Sequence, residues 1–197
     1  MKKEKEVILL TGIAAVGKST LSREIGKMPD FKAFEYGDEL CKQASKRYPE
    51  VTHAETRSDP EHFICDEDVR NTDEALQLFI QEYRNNYSVL IDSHAVSKET
   101  YGFRSEPFRL GELQRAAFSR IVYLYCEPSI IVERTNKNPD GRPALTIEEA
   151  ELYQNLQISV AITYSTMIGI PIHIINSNTR PEDMLNLFLS IIGSKSH

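Results

Sequence analysis

The hydrophobic positions of this chain fall into short, nearly continuous runs that are separated by longer segments with a helical repeat. The runs predict five strands: Val7–Thr11, Ala33–Tyr36, Ser88–Asp92, Arg120–Cys126 and Pro171–Asn176. Because these runs are apolar throughout and do not alternate with polar residues, we expect strands that are covered on both faces, as in a parallel sheet.

Helical patterns fill the segments between these runs. In the segment 72–85, Leu76, Ile80 and Tyr83 recur at the spacing of one helix face, and Asn71 with Glu74 resembles a capping box. The predicted helices are Ser19–Lys27, Glu39–Lys46, Thr72–Asn85, Arg109–Phe118, Thr146–Ile168 and Pro181–Ile192. Strands that alternate with helices predict a three-layer α/β fold with a parallel sheet, in a single domain that spans residues 1–197.

Two connections are longer and more polar than such a fold requires. The first, Arg47–Val69, is rich in charged residues, histidine and proline, and the second, Arg134–Thr146, contains Asn-Pro-Asp-Gly. Long polar connections in a compact domain often form lids or binding loops. A floppy surface loop is the alternative for each segment, and the sequence leaves both alternatives open.

The first strand leads into a loop with the pattern G-x-x-x-x-G-K-S, which is that of a P-loop. Its glycines allow backbone N–H groups to turn towards phosphate oxygens, and the start of the following helix adds positive partial charge. Lys18 is predicted to contact the β- and γ-phosphates of ATP, and Ser19 to bind Mg²⁺. The predicted nucleotide-binding residues are Gly12, Ala14, Ala15, Val16, Gly17, Lys18, Ser19 and Thr20.

A P-loop needs an acidic partner near the metal ion. Asp92 closes the apolar run of the third strand, and the carboxyl end of that strand lies next to the expected phosphate site. We interpret Asp92 as the Walker B acid, which together with Ser19 would hold Mg²⁺ directly or through water. An aspartate that only caps the strand is the alternative.

Composition and charge argue against several other classes of protein. The net charge of −6 over 197 residues disfavours a sequence-independent nucleic-acid binder. The charged segment 1–6 and the short apolar runs predict neither a leader peptide nor a membrane span. Cys41, Cys65 and Cys126 lack C-x-x-C spacing, so we expect free thiols and a cytoplasmic protein. A zinc site formed by His53, His62 and Cys65 is an alternative that the absence of paired ligands disfavours.

Further motifs follow the P-loop in a recognisable order. In addition to GIAAVGKST they are Tyr36-Gly37-Asp38, Ile91-Asp92-Ser93-His94, Tyr101-Gly102, the helix TIEEAELYQNLQISVAITYSTMIG and the strand end Asn176-Ser177-Asn178. Together they resemble the motifs of nucleoside monophosphate kinases, and more closely those of the archaeal-type adenylate kinases. The resemblance spans nearly the whole chain, although only the P-loop is specific by itself.

The resemblance implies phosphoryl transfer from ATP to a nucleoside monophosphate with Mg²⁺, most directly the conversion of ATP and AMP into ADP. It implies small-molecule nucleotides as partners, permits a homo-oligomer, and places an acceptor-binding insertion at about 39–84 and a lid at about 134–146. Phosphoryl transfer depends on positive charge around the moving group, so Arg134 and Arg142 are predicted to close over the phosphates. A closed lid also excludes the water that would hydrolyse ATP.

The acceptor phosphate needs cationic partners of its own. The resemblance gives this role to Arg70 and Arg57 as bidentate partners, with Arg104 as a further candidate. Each of these arginines could also be a solvated surface charge. His94 would lie beside the reacting phosphates, or it could be a strand-end histidine that only satisfies hydrogen bonds.

The chain also departs from the family pattern. Ala14-Ala15 replaces the Pro-Gly of many adenylate kinase P-loops, Cys41 stands where bacterial-type enzymes have an acceptor-binding arginine, and the lid has few arginines. These departures leave two other functions open. A kinase that phosphorylates a hydroxyl group would need a general base, for which Asp38 is well placed unless it only caps a helix, and Glu35 is a second candidate. The third alternative is a nucleotide-responsive module that binds ATP but transfers little phosphate.

Overall fold

A parallel five-stranded sheet with helices on both faces forms the centre of the fold. The structure is a computed structural model that describes residues 5–193. In chain order its elements are β1 (Val7–Thr11), α1 (Lys18–Gly26), β2 (Phe31–Glu35), α2 (Tyr36–Ser45), α3 (His53–Ser58), α4 (Pro60–Phe63), α5 (Asp66–Tyr83), β3 (Ser88–Asp92), β4 (Val96–Glu99), β5 (Gly102–Ser105), α6 (Leu110–Ala116), β6 (Arg120–Tyr125), α7 (Pro128–Lys137), α8 (Ile147–Ile168), β7 (Ile172–Asn176) and α9 (Pro181–Gly193). The predicted fold class is therefore confirmed.

The strands of the sheet lie in the order β2-β3-β1-β6-β7, and every neighbouring pair is parallel. The predicted strands agree with the observed ones to within a residue at each end, except for the second. The strand predicted at Ala33–Tyr36 is present, but its bounds were wrong: β2 begins at Phe31, and Tyr36 already belongs to α2. The ring of Tyr36 meets Phe108 edge-on with a centroid distance of 5.8 Å, so this residue extends the apolar pattern without extending the strand.

Both faces of the sheet are apolar because each one covers a separate part of the core. Along β1, Ile8 and Leu10 pack with buried residues of α1 and α9. Val7 and Leu9 point to the opposite face and pack with buried residues of α5 and α6. Complete burial of an aliphatic side chain contributes about 1.5–3 kcal/mol, so both faces of a central strand select apolar residues. This explains the continuous apolar runs in the sequence.

Helix α5 begins earlier than the capping pattern indicated. Its first residue is Asp66, and the carboxylate of Asp68 accepts a hydrogen bond from the backbone N–H of Cys65 at 2.9 Å. Acidic residues in a first turn also interact favourably with the helix dipole. The predicted capping box of Asn71 and Glu74 is therefore wrong, because both residues lie inside the helix.

Helices α3, α4 and α7 and the hairpin of β4 and β5 were not predicted, and much of the connection 47–69 is helical. Local signals for the helices are present. Thr52 and Glu55 form a reciprocal capping box at α3, with distances of 3.2 and 2.8 Å. Pro60 and Pro128 occupy the first positions of α4 and α7. These helices are too short or too polar to show an apolar face in the sequence.

Helix α8 fixes the start of the hairpin that follows β3. The side-chain oxygen of Gln157 accepts hydrogen bonds from the backbone N–H groups of Ala95 and Val96 at 3.0 and 2.9 Å. Its amide nitrogen donates to the hydroxyl of Thr11 at 3.0 Å, and the Tyr153 hydroxyl donates to the carbonyl of Val96 at 2.9 Å. One buried amide thus joins the end of β1 to the first residues after β3.

Within residues 5–193, no helix combines the length and the apolar character that crossing a membrane would require. Residues 1–4 of the charged N-terminal segment 1–6 lie outside the described part of the chain.

Candidate active site

A cleft of about 1050 Å³ opens at the carboxyl ends of the parallel strands, which is where open α/β sheets bind ligands. Its walls come from the P-loop, the ends of β2 and β3, helices α3 and α5, and the segment that follows α7. A site for one small ligand typically measures about 300–1,000 Å³. The cleft therefore lies at the upper end of the range for a ligand site.

The P-loop turns its backbone towards this cleft. Gly12 and Gly17 have φ angles of 145° and 99°, which glycine adopts without steric cost, whereas Ala15 has a φ of 64°. Helix α1 begins at Lys18 without a side-chain cap, so its first N–H groups are available to a phosphate. Of the predicted nucleotide-binding residues, all except Gly12 line the cleft, namely Ala14, Ala15, Val16, Gly17, Lys18, Ser19 and Thr20.

Lys18 is the buried cation of the site, with 8% of its surface exposed. Its Nζ donates a hydrogen bond to the carbonyl oxygen of Ile13 at 3.0 Å. Burial lowers the pKa of the ammonium group, Asp92 raises it, and Arg142 and Arg57 lower it further. An anion between these cations would therefore stabilise the charged form of Lys18.

Asp92 ends β3 and lies between Leu10 of β1 and Glu35 of β2 in the sheet. Burial raises the pKa of its carboxyl group, Lys18 lowers it, and Asp38 raises it. The pKa of Glu35 is also raised, first by burial and then by the two neighbouring aspartates. A bound cation would relieve the repulsion among these three carboxylates.

Ser19 and Asp92 are the residues that could hold Mg²⁺. Hydroxyl and carboxylate oxygens are hard ligands, and Mg²⁺ usually takes only one or two protein ligands together with water and phosphates. Both residues line the cleft, so their chemistry and position fit this role. Across residues 5–193, no group of three or more His, Cys, Asp or Glu side chains is arranged to hold a metal ion, which leaves the zinc alternative at His53, His62 and Cys65 without geometric support.

Both predicted lid arginines line the cleft. Arg134 lies in the last turn of α7 and donates from Nη1 to the carbonyl oxygen of Ala15 at 3.2 Å. Arg142 follows the turn after α7 and donates from Nη1 to the carbonyl oxygen of Asn138 at 3.4 Å. Burial lowers the pKa of Arg142, and Arg57 lowers it further. Arg134 thus joins the end of α7 to the P-loop.

Asp140 forms ion pairs with two arginines from different elements. One of its carboxylate oxygens, Oδ2, contacts Nη1 of Arg57 on α3 and lies 3.5 Å from Nη2 of Arg142. Arg57, a predicted acceptor-binding residue, is thereby held beside the predicted lid residue Arg142. Both guanidinium groups lower the pKa of Lys18 and of His94. Four predicted site residues therefore converge on one region of the cleft.

The remaining acceptor-binding candidates also line the cleft, but their partners differ. Arg70 on α5 is exposed and makes no ion pair with any residue between 5 and 193. Arg104 on β5 pairs with Glu106. Asp38 lies in the first turn of α2, and its Oδ1 is 3.7 Å from Nδ1 of His53. Arg70 can therefore meet a ligand directly, whereas Arg104 already has an ion-pair partner in Glu106.

His94 follows Asp92 closely and lines the cleft. Solvent reaches this residue from the cleft. Burial first, and then Lys18, Arg57 and Arg142, lower its pKa to about 3. The imidazole is therefore neutral near pH 7 and can form hydrogen bonds to a phosphate without adding charge.

One end of the cleft is aromatic and acidic, which the sequence did not predict. The Tyr36 hydroxyl donates to Oδ1 of Asp73 at 2.7 Å, and the backbone N–H of Phe108 donates to the Tyr164 hydroxyl at 2.6 Å. All four residues line the cleft. Burial raises the pKa of Asp73. These residues come from four segments that are distant in the sequence. No local motif therefore predicts that they lie together.

Thr135 is a second residue that the sequence analysis missed. Its hydroxyl group is buried, and it has no hydrogen-bond partner among residues 5–193. Thr135 also lines the cleft, next to Arg134 on α7. A nucleotide could therefore satisfy this hydroxyl.

These features together define the class of the protein. A P-loop with a buried lysine, a strand-end aspartate and arginines that line the same cleft, all built on a parallel sheet, are the features of a P-loop kinase. Residues 11–151 match the sequence model of the family described as an AAA domain, and the chain belongs to this family.

Two curated relatives extend over most of the chain. The adenylate kinase of Pyrococcus horikoshii is 28% identical over 192 residues, which cover 94% of each chain. The adenylate kinase of Pyrobaculum aerophilum is 27% identical over 178 residues, which cover 89% of this chain and 86% of that one. The resemblance to archaeal adenylate kinases is thereby confirmed.

Solved structures share the fold. The tunicamycin resistance protein of Deinococcus radiodurans superimposes with a TM-score of 0.60 at 15% identity and 97% coverage of both chains. A gluconokinase from Sinorhizobium meliloti gives a TM-score of 0.53 at 12% identity, with 98% of this chain and 94% of that chain covered. At these identities, the likeness concerns the fold alone.

Proposed function

We propose that this protein transfers the γ-phosphoryl group of ATP to a nucleoside monophosphate, most directly AMP, and forms ADP from both nucleotides. The observation that carries this proposal is the convergence of Arg57 and Arg142 beside Lys18. These cations come from the proposed acceptor-binding insertion (39–84), the proposed lid (134–146) and the P-loop. The adenylate kinases among its relatives support the same reaction.

The charges of this region favour an acceptor that itself carries a phosphate. Arg57 lowers the pKa of both Lys18 and Arg142, so the three cations repel one another. Asp140 supplies only one carboxylate to this group. The phosphates of ATP and of an acceptor would supply further negative charge, and guanidinium groups bind phosphates in a bidentate manner. A neutral hydroxyl acceptor would leave Arg57 without an anionic substrate partner.

The aromatic and acidic end of the cleft favours a nucleoside over a smaller phosphate ester. Tyr36 and Phe108 offer ring surfaces on which a base could pack. Oδ1 of Asp73 already accepts from Tyr36, which leaves Oδ2 to accept from an amino group of a base. Adenine has such an exocyclic amino group and uracil does not. We therefore propose that the acceptor base binds at this end.

The residues of this chain would act mainly by positioning and by charge. A phosphate monoester is largely a dianion near pH 7, because its second pKa is about 6, so its oxygen can attack the γ-phosphorus without a general base. Arg57 and Arg70 would orient the acceptor phosphate. Lys18 and Arg134 would stabilise the charge on the moving group and on the departing ADP. Mg²⁺, when bound, would neutralise charge on the β- and γ-phosphates.

A second candidate function is the phosphorylation of a hydroxyl group. The observation in its favour is Asp38, a carboxylate that lines the cleft 3.7 Å from His53. A hydroxyl acceptor must lose its proton during transfer, and Asp38 could take it. This function predicts that Asp38→Asn abolishes turnover, whereas the monophosphate kinase predicts only a modest loss.

The first experiment incubates the protein with Mg-ATP and a panel of acceptors: AMP, CMP, UMP, GMP, dAMP and the matching nucleosides. Products are separated by chromatography, and Lys18→Ala is the blank. Formation of ADP from ATP and AMP, absent in the blank, supports the proposal. Turnover of nucleosides alone would replace it with the hydroxyl kinase. ATP binding without transfer to any of these acceptors would contradict the monophosphate kinase and leave either a kinase for a small metabolite outside the panel or a nucleotide-responsive module, which a wider metabolite panel separates.

We also propose a cytoplasmic location, because Cys41, Cys65 and Cys126 are free thiols.

A further inference from the structure

The tip of the segment after α7 touches the helix that carries Arg57. Asp140 pairs with Arg57 of α3 and with Arg142 of its own segment. Directly next to Asp140, Gly141 lies so close to α3 that a Cβ atom on it would be 1.9 Å from the carbonyl oxygen of Ala54. An ion pair and a backbone contact therefore join two elements that are far apart in the sequence.

Asp140 holds these arginines from outside the cleft. Arg57 and Arg142 both line the cleft, whereas Asp140 and Gly141 do not. The side chain of Asp140 is 40% exposed, and that of Arg142 is 25% exposed. A guanidinium group has five N–H donors. Each arginine can therefore keep its contact with Asp140 while its other donors face a ligand in the cleft.

The backbone of residues 139–142 forms a tight turn at the point where it contacts α3. Asp140 has a φ of 44°, a left-handed conformation that is uncommon for a residue with a side chain, and Gly141 has a φ of 74°. The backbone N–H of Arg142 donates to the carbonyl of Pro139 at 2.7 Å, which closes the turn. This turn places the carboxylate of Asp140 and the bare Cα of Gly141 against α3 together.

The charge of Asp140 also offsets a local repulsion. Arg57 lowers the pKa of Arg142, and Asp140 raises it. Without the carboxylate, the two guanidinium groups would repel each other and, through their elements, would push the tip away from α3. The carboxylate of Asp140 attracts both guanidinium groups and so keeps Arg57 and Arg142 close to each other despite their repulsion.

We propose that Asp140 is a positioning residue that links the lid to the acceptor-binding insertion, so that Arg57 and Arg142 move into the reaction site as one unit. This inference deepens the proposed function and rests on it for the identity of the acceptor. Closure of the lid over ATP then brings Arg57 towards the acceptor phosphate. Binding of ATP and binding of the acceptor consequently favour each other.

The link can be tested without knowing the acceptor. Hydrogen exchange of the segments 53–58 and 138–145 is measured with and without a non-hydrolysable Mg-ATP analogue, in the wild type, Asp140→Asn and Asp140→Glu. The control is Asp30→Asn, which removes an exposed pair with Lys5 at 3.4 Å, away from the cleft. In Asp140→Asn we expect exchange to be about two- to fivefold faster in both segments, because each segment loses at least one partly exposed ion pair. Asp140→Glu should restore part of the protection.

A second variant separates charge from shape. Gly141→Ala retains both ion-pairing groups but introduces a Cβ that collides with Ala54. It should also speed exchange in both segments. If either variant speeds exchange in 138–145 alone, or if Asp140→Asn behaves like Asp30→Asn, the two elements are not linked and the proposal is wrong.

A binding measurement tests the predicted coupling. The affinity for AMP is measured by calorimetry with and without the Mg-ATP analogue. In the wild type the analogue should tighten AMP binding, and in Asp140→Asn this gain should fall by about threefold or more, with little change in the affinity for the analogue itself. An unchanged gain would contradict the link. If AMP does not bind at all, the proposed function fails, while the hydrogen-exchange result still decides the role of Asp140.

Discussion

Arg134 reaches from the end of α7 to the P-loop, where its Nη1 donates to the carbonyl oxygen of Ala15 at 3.2 Å. Ala15 itself has a φ of 64°, so the backbone at this point is already in an uncommon conformation. The hydrogen bond keeps the guanidinium group above the loop that is proposed to hold the phosphates of ATP. An arginine in this place can stabilise negative charge that develops during transfer.

We predict that Arg134→Ala lowers kcat by on the order of 100-fold or more, because removal of a positioned cation or donor at a phosphoryl group costs at least that much. The affinity for ATP should change by only about threefold. Steady-state kinetics and ATP titration measure the two effects. Glu133→Ala, which changes an exposed residue of the same helix that pairs with Lys137 and does not line the cleft, is the control and should leave kcat within about threefold. Equal losses in both variants would contradict the assignment.

Substitution of Asp73 should affect the acceptor and spare ATP. Asp73→Asn replaces the carboxylate that would accept a hydrogen bond from an amino group of the base. Because a hydrogen bond to a charged group is worth about 1.5–3 kcal/mol, the KM for AMP should rise about tenfold or more. The KM for ATP should stay within about twofold. Glu74→Gln is the matched control, since Glu74 is exposed on the same helix and does not line the cleft. A parallel rise in both KM values would show that Asp73 acts only through the fold.

The glycines of the P-loop should differ in their tolerance of alanine. A Cβ at Gly12 would lie 2.5 Å from the carbonyl oxygen of Leu124, whereas one at Gly17 would meet nothing within 4 Å. We expect Gly12→Ala to lower the free energy of unfolding by about 3 kcal/mol or more, from collision and strain together. Gly17→Ala should lose only about 1–2 kcal/mol, from backbone strain alone. Urea denaturation compares the two, and equal losses would argue against the contact with Leu124.

The buried amide of Gln157 should be important for stability. Gln157→Leu would leave the N–H groups of Ala95 and Val96 without their acceptor, at a cost of about 1–3 kcal/mol for each. We therefore expect a loss of about 2–6 kcal/mol in the free energy of unfolding. Gln154→Leu removes only one such bond, to the N–H of Cys126 at 2.9 Å, and should cost about half as much. A larger loss in Gln154→Leu would reverse the predicted order.

His94 should make the stability of the fold depend on pH on the acid side. Its pKa in the fold lies at about 3, below the value of 6.5 for an unperturbed histidine. As the pH falls below about 6.5, His94 therefore binds a proton in the unfolded chain but not in the folded one. This difference lowers the free energy of unfolding. The difference in Tm between the wild type and His94→Gln should accordingly decrease from pH 7 to pH 5. His62→Gln, at an exposed imidazole outside the cleft, is the control.

The sequence predicted the phosphate-binding part of the site much better than the part proposed to bind the acceptor. The P-loop, Lys18, Ser19 and Asp92 follow from a contiguous motif and from the end of an apolar run, because backbone geometry at a strand-to-helix turn is a local property. The resemblance to a family proposed Arg57 and Arg142 for separate roles. It did not indicate that Asp140 would hold them together, because a contact between α3 and the lid depends on how distant segments pack.

By itself, the sequence determined the order of the strands along the chain, the fold class and the position of the phosphate-binding loop. These properties rest on apolar periodicity and on local turn chemistry, which a short window of residues contains. Only the tertiary structure decided which side chains face one another across the cleft. Tyr36 contacts Asp73, and Arg57 contacts Asp140, because the sheet order and the helix packing bring their elements together. Contacts between residues so far apart in the sequence produce no periodic pattern from which they could be predicted. The proposed acceptor site belongs to this second group, since every wall of it comes from a different element.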